Sequence, residues 1–358
     1  MVANRAIEVQ SPPMGDRLVR EILRSAGFCA AAVLAVWLVP AAGVLVFLGL
    51  AGWAVTGPRR AVQALTVAWL LSSLNPVIYE VPNLGYRWLV IAAAALGLAL
   101  HWGLSDTRRF LRASVAVLLF VVLAATSALF STSPDLVLFK TAAFALGALT
   151  LLGLLRCAAC IGREWSIGWF LGLFLVVVAL SAPLLVHPNG YVVNGVGFQG
   201  ILDHPQVLGV FLAPFVAGLL IVLVEGSTWR PPLLVAALVG SGFLVATGAR
   251  TGGVAVAVGV GLAVGVGLLA QRSGWRLPRH RRRELAVAGV LVLWVLVATP
   301  YAQAAIQEYV VKDPGDETLS LAETFAEGRG PLVAESWARF AESPLLGRGF
   351  GVSASPDG

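Results

Sequence analysis

The chain has 358 residues, of which 58% are hydrophobic and only 12% are charged, and its formal net charge is +6. A soluble protein needs a polar surface, so this composition excludes a soluble enzyme or binding domain and predicts an all-α, polytopic membrane protein. The apolar runs are continuous rather than alternating, which disfavours a transmembrane β-barrel. The positive charges fall in short clusters between these runs, with no nucleic-acid-binding motif, so we expect no nucleic acid as partner.

Ten or eleven apolar runs predict a transmembrane helical bundle over residues 21–302. We expect residues 1–20 to form a cytoplasmic N-terminal tail and residues 303–358 to form the start of an extracytoplasmic catalytic loop. Residues 28–57 form one apolar run broken only by Pro40, and arginines on both flanks favour two crossings over one. The predicted spans lie near 21–38, 41–57, 61–79, 84–101, 110–130, 136–158, 165–186, 204–225, 231–249, 252–270 and 284–302.

The arginine clusters set the orientation of these spans. The loops at 80–83, 131–135 and 187–203 carry no lysine or arginine, so the positive-inside rule places them outside and the N-terminus in the cytoplasm. Arginines mark the other side at Arg108-Arg109, Arg112, Arg156, Arg163, Arg230 and the 272–283 cluster.

Arg250 then lies on the outer face, as the one arginine that breaks the charge rule, in a turn between two apolar runs. It is either a snorkelling side chain that pairs with lipid headgroups or a fixed guanidinium that binds a phosphate through two hydrogen bonds.

Two glycine-containing loops on the outer face add candidates. The loop 187–205 ends on Asp203 and His204, which either cap the following helix and support it or take part in binding. The glycines Gly347 and Gly349 would let backbone amides approach an anion, although a lone Gly-x-Gly-x-Gly pattern is weak evidence.

The segment 331–342 predicts an amphipathic helix, with Arg329 just before it. Its apolar stripe is formed by Leu332, Val333, Trp337 and Phe340, so we expect it on the outer membrane surface with Trp337 at headgroup depth. The alternative is a helix packed on a soluble loop domain.

Other chemistries lack the residues that they need. The sequence contains no phosphate-binding Gly-x-x-x-x-Gly-Lys-Ser/Thr, no Asp-x-Asp and no His-Glu-x-x-His, so we expect neither a metal nor a cofactor. The spans carry almost no buried charge, Lys140 being the exception, which counts against a proton-coupled transporter.

Three short motifs resemble the O-antigen ligase/O-antigen polymerase superfamily of bacterial membrane glycosyltransferases, over roughly residues 198–351. They are Phe198-Gln-Gly-Ile-Leu-Asp-His-Pro-Gln-Val-Leu-Gly209, Ala246-Thr-Gly-Ala-Arg250-Thr-Gly252 and Gly328-Arg329 … Trp337 … Pro344-Leu-Leu-Gly-Arg-Gly-Phe-Gly351. Gln206 stands where the family commonly has asparagine.

The resemblance implies metal-independent, inverting glycosyl transfer at the outer face of the cytoplasmic membrane. The donor would be a glycan on a polyprenyl diphosphate, the acceptor a sugar hydroxyl, and Arg250 and Arg329 would hold the diphosphate. The family's loop histidine would lie beyond Gly351, so we expect this sequence to be truncated. A lipid-linked-glycan flippase or transporter and an inactive remnant are the alternatives.

Overall fold

The computed structural model describes residues 14–79, 85–101, 107–193, 197–225, 230–269, 321–343 and 349–350. These residues are predominantly helical and contain no β-strand, only an isolated antiparallel bridge between Leu74 and Leu202, so the all-α prediction is confirmed for them. The helices are α1 (Met14–Leu38), α2 (Ala42–Val55), α3 (Pro58–Ser72), α4 (Tyr86–Leu100), α5 (Thr107–Thr126), α6 (Pro134–Ile161), α7 (Arg163–Ser181), α8 (Pro205–Glu225), α9 (Arg230–Ala246), α10 (Arg250–Leu269) and α11 (Leu321–Glu342).

Helices α1–α10 lie at ten of the eleven predicted span positions, and the eleventh, 284–302, lies outside the described residues. Three helical segments of the described chain are long and apolar enough to cross a membrane: Leu18–Leu38, Pro134–Ala158 and Arg163–Val186. Helix α2 has 14 residues and reaches about 21 Å, less than a hydrocarbon core of about 30 Å. A crossing by the shorter helices stays a prediction.

The described chain divides into two compact units. Unit 1 comprises Met1–Gly103, Gly153–Gly195 and Gln199–His204, and unit 2 comprises Leu104–Leu152, Val196–Phe198 and Pro205–Gly358.

In unit 1, α1 and α7 run parallel. A Cβ on Gly168 would meet Glu21, and four residues further on a Cβ on Gly172 would meet Ser25, so the contact advances in the same direction along both helices. Small residues at a spacing of four allow two helix backbones to approach closely.

Helix α3 runs in the same direction as α7. Arg59 Nε donates to the carbonyl of Ile161, just before α7, and Trp169 Nε1 donates to Thr66 Oγ1 seven residues further along α3. Trp169 is fully buried, and this bond satisfies the only polar atom of its side chain.

The C-terminal ends of α2 and α4 pack together, close to the residue where α3 begins. Gly97, near the end of α4, lies against the carbonyl of Ala54, near the end of α2. The break at Pro40 therefore separates two helices, and α1, α2 and α3 alternate in direction as two crossings before residue 58 require.

Arg87 lies apart from Arg59 and Arg60. It is the second residue of α4, and the far end of that helix packs at Ala54, close to Arg59 and Arg60 in the first turn of α3. Arg87 therefore lies at the opposite end of unit 1 from Arg59, whereas the membrane side of Arg250 stays a prediction. The Arg87 guanidinium lies 5.5 Å from the ring centroid of Trp88, whose π-face offsets part of its charge.

In unit 2, α8 packs against both α9 and α10. Apolar side chains of α8 form the centre of this group, with Leu208 and Leu212 fully buried and the rings of Phe211 and Phe215 4.8 Å apart. A second cluster joins Phe120 of α5 and Phe144 of α6, whose ring centroids lie 4.9 Å apart.

Candidate functional site

The predicted site residues of unit 1, Asp203 and His204, lie at the end of a dense set of loop hydrogen bonds. This set, here called the amide knot, is formed by residues 73–79, 181–193 and 199–204. Two backbone contacts join the first and third segments: the bridge between Leu74 and Leu202, and a bond of 2.8 Å from the Asp203 amide to the Ser73 carbonyl. The segment that leads into α8 is thereby fixed to the end of α3.

Asn75 is the centre of the knot and is fully buried. Its Nδ2 donates to the carbonyls of Asn189, at 2.9 Å, and Gly200, at 3.3 Å, and its Oδ1 accepts from the Val77 amide at 3.1 Å. Its own amide donates to the Ile201 carbonyl at 2.7 Å. One asparagine thus joins all three segments, because its side chain both donates and accepts.

Gln199 and Ser181 complete the knot, exposed by 1% and 0%. The Gln199 amide donates to the Gly190 carbonyl at 2.8 Å, and its Oε1 accepts from the Val193 amide at 3.1 Å. Ser181 Oγ accepts from the Ile201 amide at 3.1 Å. These bonds satisfy backbone groups that a helix or strand would otherwise pair.

Asp203 and His204 stand where the knot passes into α8. The helix begins at Pro205, so residue 204 occupies the N-cap position and Asp203 precedes the cap. The Oδ1 atom of Asp203 is buried without a hydrogen-bond partner among the described residues. Burial raises the pKa of this carboxyl, against lowering contributions from backbone hydrogen bonds and from His204. A desolvated carboxyl of this kind is a candidate binding group.

In unit 2, Arg250 is the first residue of α10, after a three-residue turn from Ala246. Gly248 has φ +60°, a conformation that favours glycine, and Thr247 Oγ1 accepts from the Ala249 amide at 3.0 Å while donating to the Leu244 carbonyl at 2.7 Å. The tight turn that the sequence predicts is therefore present, and its hydrogen bonds fix the Arg250 backbone at a helix N-terminus.

Close packing against α8 holds this turn in place. A Cβ on Gly209 would collide with the Ala249 side chain and lie 3.2 Å from Thr247 Oγ1. A Cβ on Gly252 would lie 2.9 Å from the Gly209 carbonyl oxygen. Thr247 and Ala249 are buried as a consequence, exposed by 2% and 6%.

The predicted boundary near Arg329 is wrong. Helix α11 begins at Leu321 rather than at 331, so Arg329 lies inside the helix and not just before it. Five of the seven residues at 321–327 are leucine, alanine or glutamate, which favour a helix, and this helix continues across Gly328, Gly330 and Pro331 although proline removes one backbone hydrogen bond. The side chains of Arg250 and Arg329 lie outside what the structure describes, and so does Gly347.

The amphipathic stripe of α11 is present and exposed. Trp337 is exposed by 69%, its ring lies 5.4 Å from that of Phe340, and Val333 is also exposed. Arg339 forms an ion pair of 2.6 Å with Glu335 away from this stripe. Because side chains on the other faces of this helix are exposed as well, its placement on the membrane surface stays a prediction.

Backbone conformation and close packing together explain why residue 349 is glycine. Its φ is +111°, and a Cβ there would lie 2.5 Å from Ser131 Oγ and 2.7 Å from Val137. The next residue, Phe350, donates its amide to Ser127 Oγ at 2.9 Å. Its ring joins those of Phe120 and Phe144 at 5.6 and 6.0 Å. The structure thus gives Gly349 a packing role, and the predicted anion contact stays a prediction.

The structure places Asp203 and His204 together in unit 1, and Arg250, Trp337 and Gly349 in unit 2. Sequence reasoning missed Asn75 and Gln199. The available signals were an asparagine followed by proline between two apolar runs, which favours a turn, and a glutamine inside an otherwise apolar segment.

Comparisons with known proteins leave the family open, since no family model, no curated protein and no solved structure matches the chain. Among the described residues, no group of three histidine, cysteine, aspartate or glutamate side chains is arranged to hold a metal ion.

Proposed function

We propose that this chain is an integral-membrane glycosyltransferase of the O-antigen ligase/O-antigen polymerase type. It transfers a glycan from a polyprenyl diphosphate to a sugar hydroxyl at the outer face of a bacterial cytoplasmic membrane, without a metal or other cofactor. The donor, the sugar acceptor and the surrounding membrane lipids are its partners.

The observation that carries this proposal is the rigid turn before Arg250. Hydrogen bonds of Thr247 and the packing of Gly209 fix the backbone of the first residue of a 20-residue helix. The dipole at a helix N-terminus favours an anion there. An arginine at that position adds a planar fork that matches two oxygens of a phosphate.

The chemistry explains why arginines are suited to this reaction. The acceptor hydroxyl oxygen attacks C1 of the donor sugar and loses its proton to water, while the C1–O bond to the diphosphate breaks, so negative charge builds up on the leaving diphosphate. Fixed guanidinium groups stabilise that charge, and one such donor contributes about 3 kcal/mol in comparable sites. In this proposal Arg250 and Arg329 provide this stabilisation.

The arrangement of unit 1 supports the orientation. The arginine-rich ends of α1, α3 and α7 come together, and the opposite end carries Arg87 but no lysine or arginine within the amide knot itself. By the positive-inside rule the knot is outside and the N-terminus is cytoplasmic.

Donor binding tests the function. We expect Arg250→Ala and Arg329→Ala to weaken binding of a radiolabelled polyprenyl-diphosphate glycan by about 100-fold each, since a charged hydrogen bond contributes about 1.5–3 kcal/mol. The measurement is a titration of purified protein in lipid nanodiscs, with and without a chelator.

The matched control is Arg272→Ala, which removes an arginine from the predicted cytoplasmic cluster and should leave donor affinity unchanged. Equal unfolding temperatures show that the variants are folded. Unchanged affinity in both Arg250→Ala and Arg329→Ala would contradict the proposal.

A further inference from the structure

A second candidate site lies in unit 1, at the end opposite the amide knot. It is a cavity of about 490 Å³, here called the arginine pocket, within the volume range of small-molecule sites. Its lining residues are Leu18, Arg20, Glu21, Arg24, Arg59, Gly162, Arg163, Glu164 and Trp165.

The charge of the pocket favours an anion. Four arginines line it against two glutamates, and the Arg24–Glu21 pair is long, at 3.4 Å, with the Arg24 side chain 75% exposed. Such an exposed pair neutralises little of the positive potential. Several arginines lining one cavity are typical of phosphate recognition, because a guanidinium presents parallel N–H donors to two oxygens.

The pocket is built on fixed elements. Helix α3 begins at Pro58 and α7 at Arg163, both beside the cavity, and Arg59 donates a 2.8 Å bond to the carbonyl of Ile161, the last residue of α6, two residues before α7 begins. The Arg59 guanidinium also lies 5.6 Å from the ring centroid of Trp165, which stacks on Trp169 at 6.0 Å. Two helix N-termini thus meet at the arginines.

The position of the pocket points to a lipid rather than a soluble anion. Two of the three membrane-length segments, Leu18–Leu38 and Arg163–Val186, begin at residues that line it. Leu23, beside Arg24 on α1, is 61% exposed and offers an apolar surface next to the charged groups. Charge beside exposed apolar surface and a tryptophan is the pattern expected at the boundary between headgroups and hydrocarbon.

We propose that the arginine pocket binds the phosphate of an anionic phospholipid headgroup in the cytoplasmic leaflet. The pocket is formed by residues of unit 1, and its occupancy does not depend on glycosyl transfer. A bound lipid would hold the starts of α3 and α7 together by neutralising the arginines between them.

Lipid binding by the purified full chain tests this site. We expect native mass spectrometry to show selective binding of phosphatidylglycerol over phosphatidylcholine, and Arg20→Gln/Arg24→Gln to weaken phosphatidylglycerol binding about tenfold. The matched control is Arg60→Gln/Arg156→Gln, which removes the same charge from the same end of unit 1. Neither control residue lines the pocket, and Arg60 lies over the Trp53 ring at 4.5 Å.

A second variant separates binding from folding. Glu21→Gln removes a negative charge from the pocket and should tighten phosphatidylglycerol binding several-fold, a gain that misfolding cannot produce. Equal losses in the pocket and control variants, or no gain in Glu21→Gln, would overturn the site. Displacement of phosphatidylglycerol by millimolar glycerol phosphate or inorganic phosphate would assign the pocket to a soluble phosphate and overturn the lipid proposal.

Discussion

The amide knot of unit 1 and the Arg250 turn of unit 2 each fix a short segment before a helix, but by different physical means. The knot uses buried amides and a hydroxyl: Asn75, Gln199 and Ser181 pair with backbone groups of three segments. The turn uses the absence of side-chain volume, since Gly209 lets Ala249 approach the α8 backbone. The knot depends on hydrogen bonds, and the turn depends on the Thr247 hydrogen bonds together with close packing against α8.

This difference determines how much stability each region loses when its residues are substituted. An unsatisfied buried polar group retains its full desolvation penalty, whereas an overpacked contact relaxes in part by moving the backbone. Substitutions in the knot should therefore destabilise unit 1 strongly, whereas a substitution at the turn should cost less stability and displace Arg250.

The largest effect is expected for Asn75→Leu. Leucine has a similar size but leaves the Asn189 and Gly200 carbonyls and the Val77 amide without their side-chain partner. We expect a loss of about 3 kcal/mol or more in unfolding free energy, measured by thermal and denaturant unfolding in detergent. The control is Asn189→Ala, because Asn189 contributes its backbone carbonyl to this network. Equal stability of Asn75→Leu and the wild type would mean that the knot is not structural.

Gly209→Val should have an intermediate effect. The new side chain would collide with Ala249 and Thr247, so we expect a loss of about 1–3 kcal/mol and weaker donor binding as the Arg250 backbone shifts. Gly218→Val, on the same helix with nothing within 4 Å of its Cβ position, is the matched control and should change neither quantity. Normal donor binding by a destabilised Gly209→Val would show that the turn does not position Arg250.

The smallest effect is a pH dependence from Asp203. Its folded-state pKa is raised by burial, so the charged carboxylate disfavours the fold at pH above that pKa, and the penalty disappears as pH falls below the unfolded-state value. Asp203→Asn should therefore gain stability relative to the wild type at pH 7 and lose that advantage at pH 4. Unfolding temperatures at the two values measure this, with Asp135→Asn, an exposed aspartate in the first turn of α6, as control. If Asp203→Asn were more stable than the wild type by the same amount at both pH values, burial of the charged Asp203 carboxylate would not be the cause.

Hydrophobic pattern and length were sufficient to predict the positions of helices α1–α10. The run 254–262 alternates like a strand, yet it lies inside α10, because an uncharged apolar stretch of that length favours a helix over strand propensity. The turn before Arg250 was also predicted, since Thr247-Gly248 interrupts two apolar runs.

Long-range pairings could not be predicted. Asn75 bonds residues 114 and 125 positions away, and no local pattern specifies such partners. The start of α11 was misplaced because Gly330 and Pro331 have low helix propensity, whereas five of the residues 321–327 are leucine, alanine or glutamate and favour the helix. The arginine pocket was missed because its arginines come from α1, α3 and the start of α7, which are distant in sequence.

The central claim, that Arg250 holds a diphosphate with a planar two-bond grip, is tested most directly by Arg250→Lys. Lysine keeps the charge but presents a point donor, so we predict that donor binding by this variant is about tenfold weaker than in the wild type. The measurement is the affinity of wild type, Arg250→Lys and Arg250→Ala for the same polyprenyl-diphosphate glycan in nanodiscs. Wild-type affinity in Arg250→Lys would contradict the claim and reduce Arg250 to a charge at the membrane surface.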